Sequence, residues 1–358
     1  MNGEAKLNGP AVLEALRSLP LGEVSLMEIC GTHTASIAKS GIKSMLPANI
    51  RLISGPGCPV CVTPASAIDS FLELSSRPEV MIATYGDMLR VPGSHRGDTL
   101  RSRGAAGASV TMVYSPMDAL QLAKEHPDKE IVFLGVGFET TAPGTAAAVK
   151  AVAAADLRNF SVLSLLRTCP QALRALIADP NFRVQGFLCP GHVAVITGSD
   201  GFRFLPEEYG LPAVVSGFEP EDILLSVYLL CRQIAEKAPR IENTYGRAVS
   251  VQGNRLARNA VSEVFEPCDA LWRGLGLIPG SGLRLRPAWE RFDAEKRFGF
   301  QLPDADLPTA CACGDIIRGY KSPAECPLFG KVCTPEDPVG PCMVSGEGAC
   351  AAFWKYGQ

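Results

Sequence analysis

Six of the thirteen cysteines crowd the last part of the chain, at Cys311, Cys313, Cys326, Cys333, Cys342 and Cys350, in the spacing C-x-C-x12-C-x6-C-x8-C-x7-C. The sequence around them, from about residue 302 onward, is rich in Gly and Pro and has few aliphatic runs. Such a segment cannot bury enough apolar surface to stabilise itself, so something covalent or coordinative must hold it. In a secreted chain the pattern would read as a disulfide framework. The opening MNGEAKLNGP has no apolar signal core, which leads us to expect a soluble, cytoplasmic protein whose thiols do metal or redox chemistry. Zinc ribbons typically pair two C-x2-C hooks. One C-x-C followed by single, spaced cysteines suits four thiolates on an iron–sulfur cluster, with two thiols left for a redox disulfide. Spacing alone does not choose the four.

The remaining sequence is that of an ordinary globular protein, with 358 residues, 47% hydrophobic and 20% charged. That length corresponds to about two to three domains. Lys and Arg number 34 against 37 Asp and Glu, a net charge of −3, which argues against nucleic-acid or membrane-surface partners because those need a basic field. From about residue 20 to 225, short β-rich runs alternate with Ala/Leu-rich helical segments. Strands are expected at 25–29, 50–54, 80–85, 109–114, 131–136, 160–166, 186–188 and 212–216, and helices at 64–75, 116–126, 143–155 and 170–178. All four of these helices open at a proline, a favoured position because its missing N–H has no partner there anyway. The alternation predicts an α/β fold with two tandem parallel-sheet units, 10–118 and 119–225, followed by a helical and Cys-rich domain over 226–358 that holds the cluster. A long helix at 219–237 begins with acidic residues suited to its dipole.

Four further motifs sit at strand ends, where open parallel sheets bind their ligands. Cys30-Gly31-Thr32-His33-Thr34 places a thiol and an imidazole on one turn leading into a helix. Gly55-Pro56-Gly57-Cys58-Pro59-Val60-Cys61 contains the spacing of a dithiol/disulfide pair. Half of a zinc site is the alternative, weakened because no second C-x-x-C exists in the chain. Gly137-Phe138-Glu139-Thr140-Thr141 offers Glu139 as a base or ion-pair partner, and Cys189-Pro190-Gly191-His192 offers one of only four histidines. Gly93, Gly97, Gly104 and Gly107, interleaved with Arg96, Arg101 and Arg103, read as a solvated basic loop. It contains no phosphate-binding pattern.

These motifs, in this order, resemble the hydrogenase maturation factor HypD family over nearly the whole chain. The resemblance includes Met27-Glu28-Ile29 before Cys30, Val215-Ser216-Gly217-Phe218-Glu219-Pro220, Trp272-Arg273-Gly274-Leu275-Gly276, Leu328 to Pro335, and Gly340-Pro341-Cys342-Met343-Val344-Ser345. It implies a scaffold on which the Fe(CN)2CO group of [NiFe]-hydrogenases is assembled, with a small chaperone, HypC, and a cyanide carrier, HypE, that brings cyanide as a protein-bound thiocyanate. By the same resemblance, Cys30 binds the iron of the Fe(CN)2CO group with His33 close by, and Cys58 and Cys61 form a thioredoxin-like switch. It also implies a [4Fe-4S] cluster on Cys311, Cys326, Cys333 and Cys350, with Cys313 and Cys342 as a redox pair, as in ferredoxin:thioredoxin reductase. Glu139 and His192 join the catalytic set, and Cys189 is given no role. Two other functions compete: an iron–sulfur disulfide reductase, which leaves Cys30 and His33 idle, and a zinc-stabilised interaction module.

Overall fold

The computed structural model describes residues 9–357. Eleven strands are found among them: β1 (Val24–Glu28), β2 (Ile50–Ser54), β3 (Val80–Thr84), β4 (Ser109–Met112), β5 (Glu130–Gly137), β6 (Phe160–Leu166), β7 (Gly186–Pro190), β8 (Ala213–Ser216), β9 (Ile241–Asn243), β10 (Phe265–Trp272) and β11 (Gly276–Leu285). Helices join them, as the alternating pattern requires. The eight expected strands all form, within about two residues at their ends. Nearly every residue of β3 and β5 is buried. Continuous apolar runs of this kind mark parallel strands covered on both faces.

The α/β class with parallel sheets and a Cys-rich end is as expected, but the chain is divided differently from a split near residue 118. One sheet has the order β2-β1-β7-β8-β9 and the other β4-β3-β5-β6, and every pairing in both is parallel. The second sheet is therefore inserted between β2 and β7 of the first. Residue 118 falls inside the helix Pro116–Glu125 that carries the chain from β4 to β5, and residue 225 falls inside the helix Pro220–Glu236. Local periodicity cannot reveal such an insertion, because each strand–helix unit looks the same whichever sheet it joins. Beyond residue 226 the chain also contributes β9 to the first sheet and an antiparallel hairpin, β10–β11. The hairpin packs on the second sheet, where the Ser164 hydroxyl donates to the Leu283 carbonyl at 2.5 Å.

Trp272, fully buried at the end of β10, anchors this junction. Its ring stacks on Phe138 at 5.7 Å and its indole N–H donates to the Ser281 hydroxyl at 2.8 Å. The glycine- and arginine-rich segment is more ordered than a solvated loop. Thr99 caps a helix over Leu100–Ala105, and Arg96 pairs with Asp337 and donates to the Val332 carbonyl, which ties the segment to the tail. No helix among the described residues is long and apolar enough to cross a membrane.

Candidate functional site

Both sheets reverse their strand order once, between β1 and β7 in the first and between β3 and β5 in the second. Crevices open at such points beyond the carboxyl ends of the strands. Cys30 follows β1 and His192 follows β7, so the first reversal brings the two side chains together. The Cys30 sulfur lies 3.4 Å from His192 Nε2, although 162 residues separate them in sequence.

The site is assembled around that sulfur. Cys30 is 1% exposed and immediately precedes the helix Gly31–Ser40. Burial raises its thiol well above the usual range, the N–H groups of His33 and Thr32 oppose that by pointing at the sulfur, and the nearby Glu28 and Glu347 carboxylates reinforce it. The thiol is consequently held protonated until a cation arrives to favour thiolate. Glu28 accepts the Cys30 N–H at 3.0 Å and the Thr34 hydroxyl, and burial pushes its own carboxyl up to about 7. Burial likewise keeps His192 below the ordinary imidazole range, so it is neutral and can take a proton.

His33 is also fully buried, with its pKa lowered to about 4 by desolvation. Its Nε2 lies 2.8 Å from the Gly217 carbonyl, which can only accept, so Nε2 carries the proton and Nδ1 keeps a lone pair. That Nδ1 has no hydrogen-bond partner. Phe218 packs against both histidine rings, 4.9 Å from His33 and 5.0 Å from His192, and Tyr245 closes on its edge. The unfolded chain binds a proton at His33 below about 6.5, while the folded one resists until about 4. Stability from this residue is thus full above the first value and lost as pH falls through the second. Urea midpoints at neutral and mildly acidic pH should therefore differ more in the wild type than in His33→Gln, and equal differences would refute the assignment.

Cys58 and Cys61 form a disulfide, with Cα atoms 5.2 Å apart. Their loop lies directly on the Cys30 turn, and Gly31 N–H donates to the Gly57 carbonyl at 3.0 Å. A small cavity joins Cys58, Cys61, Cys342 and Glu347, so a tail cysteine shares a space with the disulfide. Glu347 accepts the Thr32 hydroxyl at 2.8 Å, and Ser345 donates to Asp87 after β3 at 2.7 Å. Arg273 links the same parts from the other side. Its N–H and Nε donate to the Val62 and Thr63 carbonyls at 2.8 and 2.9 Å. Together with a hydrogen bond from Cys311, its guanidinium holds the Cys313 thiol below its usual range.

Glu139 sits one layer away from Cys30. Its Oε1 accepts the Cys169 N–H at 2.7 Å, its Oε2 has no partner, and burial raises its carboxyl. Cys169, at the end of β6, is buried and near enough to Glu139, Cys30 and Cys189 for each to raise its thiol further, after burial itself. The sequence reading gave no role to Cys169, Glu28, Phe218, Arg273 or Glu347. Cys169 has the same strand-end address that singled out the motifs, while Glu28, Phe218 and Arg273 lie inside stretches already noted. Glu347 carried no signal short of the folded chain.

The tail cysteines lie close together in overlapping sets, with Cys342 near Cys350, Cys313 and Cys333. The Cys350 thiol is raised by burial and then by Cys333, Cys326 and Cys313, whereas Cys311 is raised by its hydrogen bond to Cys313, by burial and by Cys342. Among the described residues, no group of three or more His, Cys, Asp or Glu side chains is drawn into a metal-ion cage. The donor set itself, six thiols of which five are buried, is soft and suits iron and sulfide.

The comparisons with known proteins decide the family. The HypD model, described as the hydrogenase formation hypA family, matches residues 11–357. The chain belongs to the HypD family. The hydrogenase maturation factor HypD of Rhizobium leguminosarum bv. viciae is 46% identical over 346 residues, covering 95% of this chain and 90% of its own length. That of Rhodobacter capsulatus is 48% identical over 339 residues, covering 93% and 89%. That of Escherichia coli K12 is 44% identical over 336 residues, again covering 93% and 89%. Membership of the HypD family makes this a protein of hydrogenase maturation.

Proposed function

We propose that this protein is the cytoplasmic scaffold on which the Fe(CN)2CO group is built, working with a HypC-type chaperone and a HypE-type cyanide carrier. The observation that carries the reading is the buried Cys30 thiol beside a neutral His192, with amide N–H groups aimed at the sulfur. Iron arrives as cargo. As it binds, His192 takes the thiol proton and the N–H groups of His33 and Thr32 stabilise the thiolate. His33 Nδ1, a buried lone pair without a partner, is suited to a second contact with the cargo or its ligands. Freeing cyanide from a carrier-bound thiocyanate requires two electrons, giving a thiolate and cyanide. The reduced Cys58/Cys61 pair supplies two electrons and two protons on closing to its disulfide.

A [4Fe-4S] cluster on four tail thiolates would supply the single electrons that reset this pair. The resemblance assigns Cys311, Cys326, Cys333 and Cys350 to it, with Cys313 and Cys342 as the redox pair. The neighbourhood of Cys350 favours a second partition, in which Cys313 replaces Cys311 and Cys311 pairs with Cys342. Iron and sulfide analysis of anaerobically purified single variants separates the two. Under the first partition, Cys311→Ala loses about four irons per chain and Cys313→Ala keeps them; under the second, the losses exchange. Zinc without colour in the wild type would remove the redox half of the proposal. Infrared bands from cyanide and carbonyl on the complex with its partners test the scaffold role, since a disulfide reductase would have none.

A further inference from the structure

β2 is the edge strand of the first sheet, and a cavity of about 410 Å3 lies along its open side. Leu52 and Ser54 of the strand, Lys43 of the short helix Ile42–Met45 before it, and Lys321 and Phe353 of the tail contribute to its walls. The side chains of Lys43 and Arg51, both lining the cavity, make no hydrogen bond and no close ion pair with a described residue, although Glu28 lies near enough to Lys43, and Glu325 to Arg51, to act on them electrostatically. The strand adds two more donors. Val24 N–H donates to the Asn49 carbonyl and Gly55 N–H to the Glu28 carbonyl, each at 2.8 Å. With β1 and β2 in register Val24↔Ile50, the odd-numbered residues of β2 turn their main-chain groups to β1. Leu52 and Ser54 therefore direct theirs outward, and no described backbone group accepts their N–H.

The opposing charges are few. Glu23 lines the cavity, Asp315 is engaged with Lys321, and Glu325 lies near Arg51. Glu28 lies behind the inner wall, where Thr34 and Ser54 bond to it. We propose that this cavity binds a phosphate-sized, multiply charged oxyanion, held by Lys43, Arg51 and the outward N–H groups of Leu52 and Ser54. Two cations and two aligned amides are the donor set that phosphate recognition uses elsewhere. Charges that only deter sheet-edge pairing would need neither a cavity nor convergent amides. The anion would then lie behind the carboxylate that supports Cys30.

Calorimetric titration of the full chain in low-salt buffer, first with inorganic phosphate and then with glycerol 3-phosphate, tests the site. One saturable event is expected, weakened at least about tenfold in a Lys43→Gln, Arg51→Gln double variant and retained in Lys43→Arg. Tighter binding of the ester would assign the site to the phosphoryl group of a larger molecule; tighter binding of phosphate would assign it to the free ion. Hydrogen exchange at Leu52 and Ser54 should slow when phosphate is added. No saturable heat with either probe, unchanged binding in the double variant, or unaltered exchange at both amides would each overturn the proposal.

Discussion

Cys30→Ala is expected to abolish iron–cyanide loading while leaving the iron and sulfide of the tail unchanged. The fold should tolerate the change, because alanine leaves only a sulfur-sized space beside His192. What disappears is the soft donor at which the N–H groups of His33 and Thr32 are aimed and beside which His192 sits, 3.4 Å away. No nearby thiol replaces it in place, since Cys169 is bound to Glu139 through its own backbone and belongs to a different strand end. Cys30→Ser should restore the shape and not the function, as a hydroxyl oxygen is a harder and poorer ligand for low-valent iron than a thiolate. Infrared spectroscopy of the complex with its partners is the readout. Cyanide bands of wild-type intensity in Cys30→Ala would end the proposed role of this residue.

Gly57→Ala should have the second largest effect, through packing alone. A Cβ at this position would fall on the backbone N and Cα of Cys30 and the carbonyl carbon of Ile29. Backbone atoms cannot rotate aside, so the loops after β1 and β2 must separate and lose the Gly31 N–H to Gly57 carbonyl bond. Overpacking against fixed atoms costs about 3 kcal/mol, which for a chain of 358 residues corresponds to a fall in Tm of roughly 4 °C. Gly22→Ala is the control, because nothing lies within 4 Å of its added carbon. If the two variants melted together, the close seating of the disulfide loop on the Cys30 turn would be wrong. Loss of loading in Gly57→Ala at temperatures where it remains folded would show that the seating matters for the chemistry as well.

The tail has a related dependence on its surroundings. It adds Ile316, Ile317, Met343 and Val344 to the main core, and specific contacts fix its position further: Arg96 to Asp337 and Val332, Arg90 to the Val344 carbonyl, Glu347 to Thr32, and the Arg273 guanidinium to Cys313. Most of these reach the first sheet's crevice or the inserted unit. A cysteine-rich segment held in this way keeps Cys342 on the wall of the same small cavity as the Cys58–Cys61 disulfide.

Local patterns in the chain were enough to read the strands, most helix starts, the α/β class and the motifs at strand ends, because apolar periodicity, prolines at helix starts and short motifs act over a few residues. Cys30, His33, Cys58, Cys61 and His192 were singled out from the chain for the same reason. Their arrangement was not. That His192 faces Cys30 follows from the reversal of strand order between β1 and β7, and that reversal depends on the second sheet being inserted between β2 and β7. The demotion of Glu139 to a neighbour of Cys169, and the arrival of Glu28, Phe218, Arg273 and Glu347 around the site, depend on pairings between segments tens to hundreds of residues apart. Sequence spacing carries the identity of donors and acceptors. Only the closed tertiary structure removes water from them, and burial is what holds the Cys30 thiol protonated, the histidines neutral and the Glu28 carboxyl near 7.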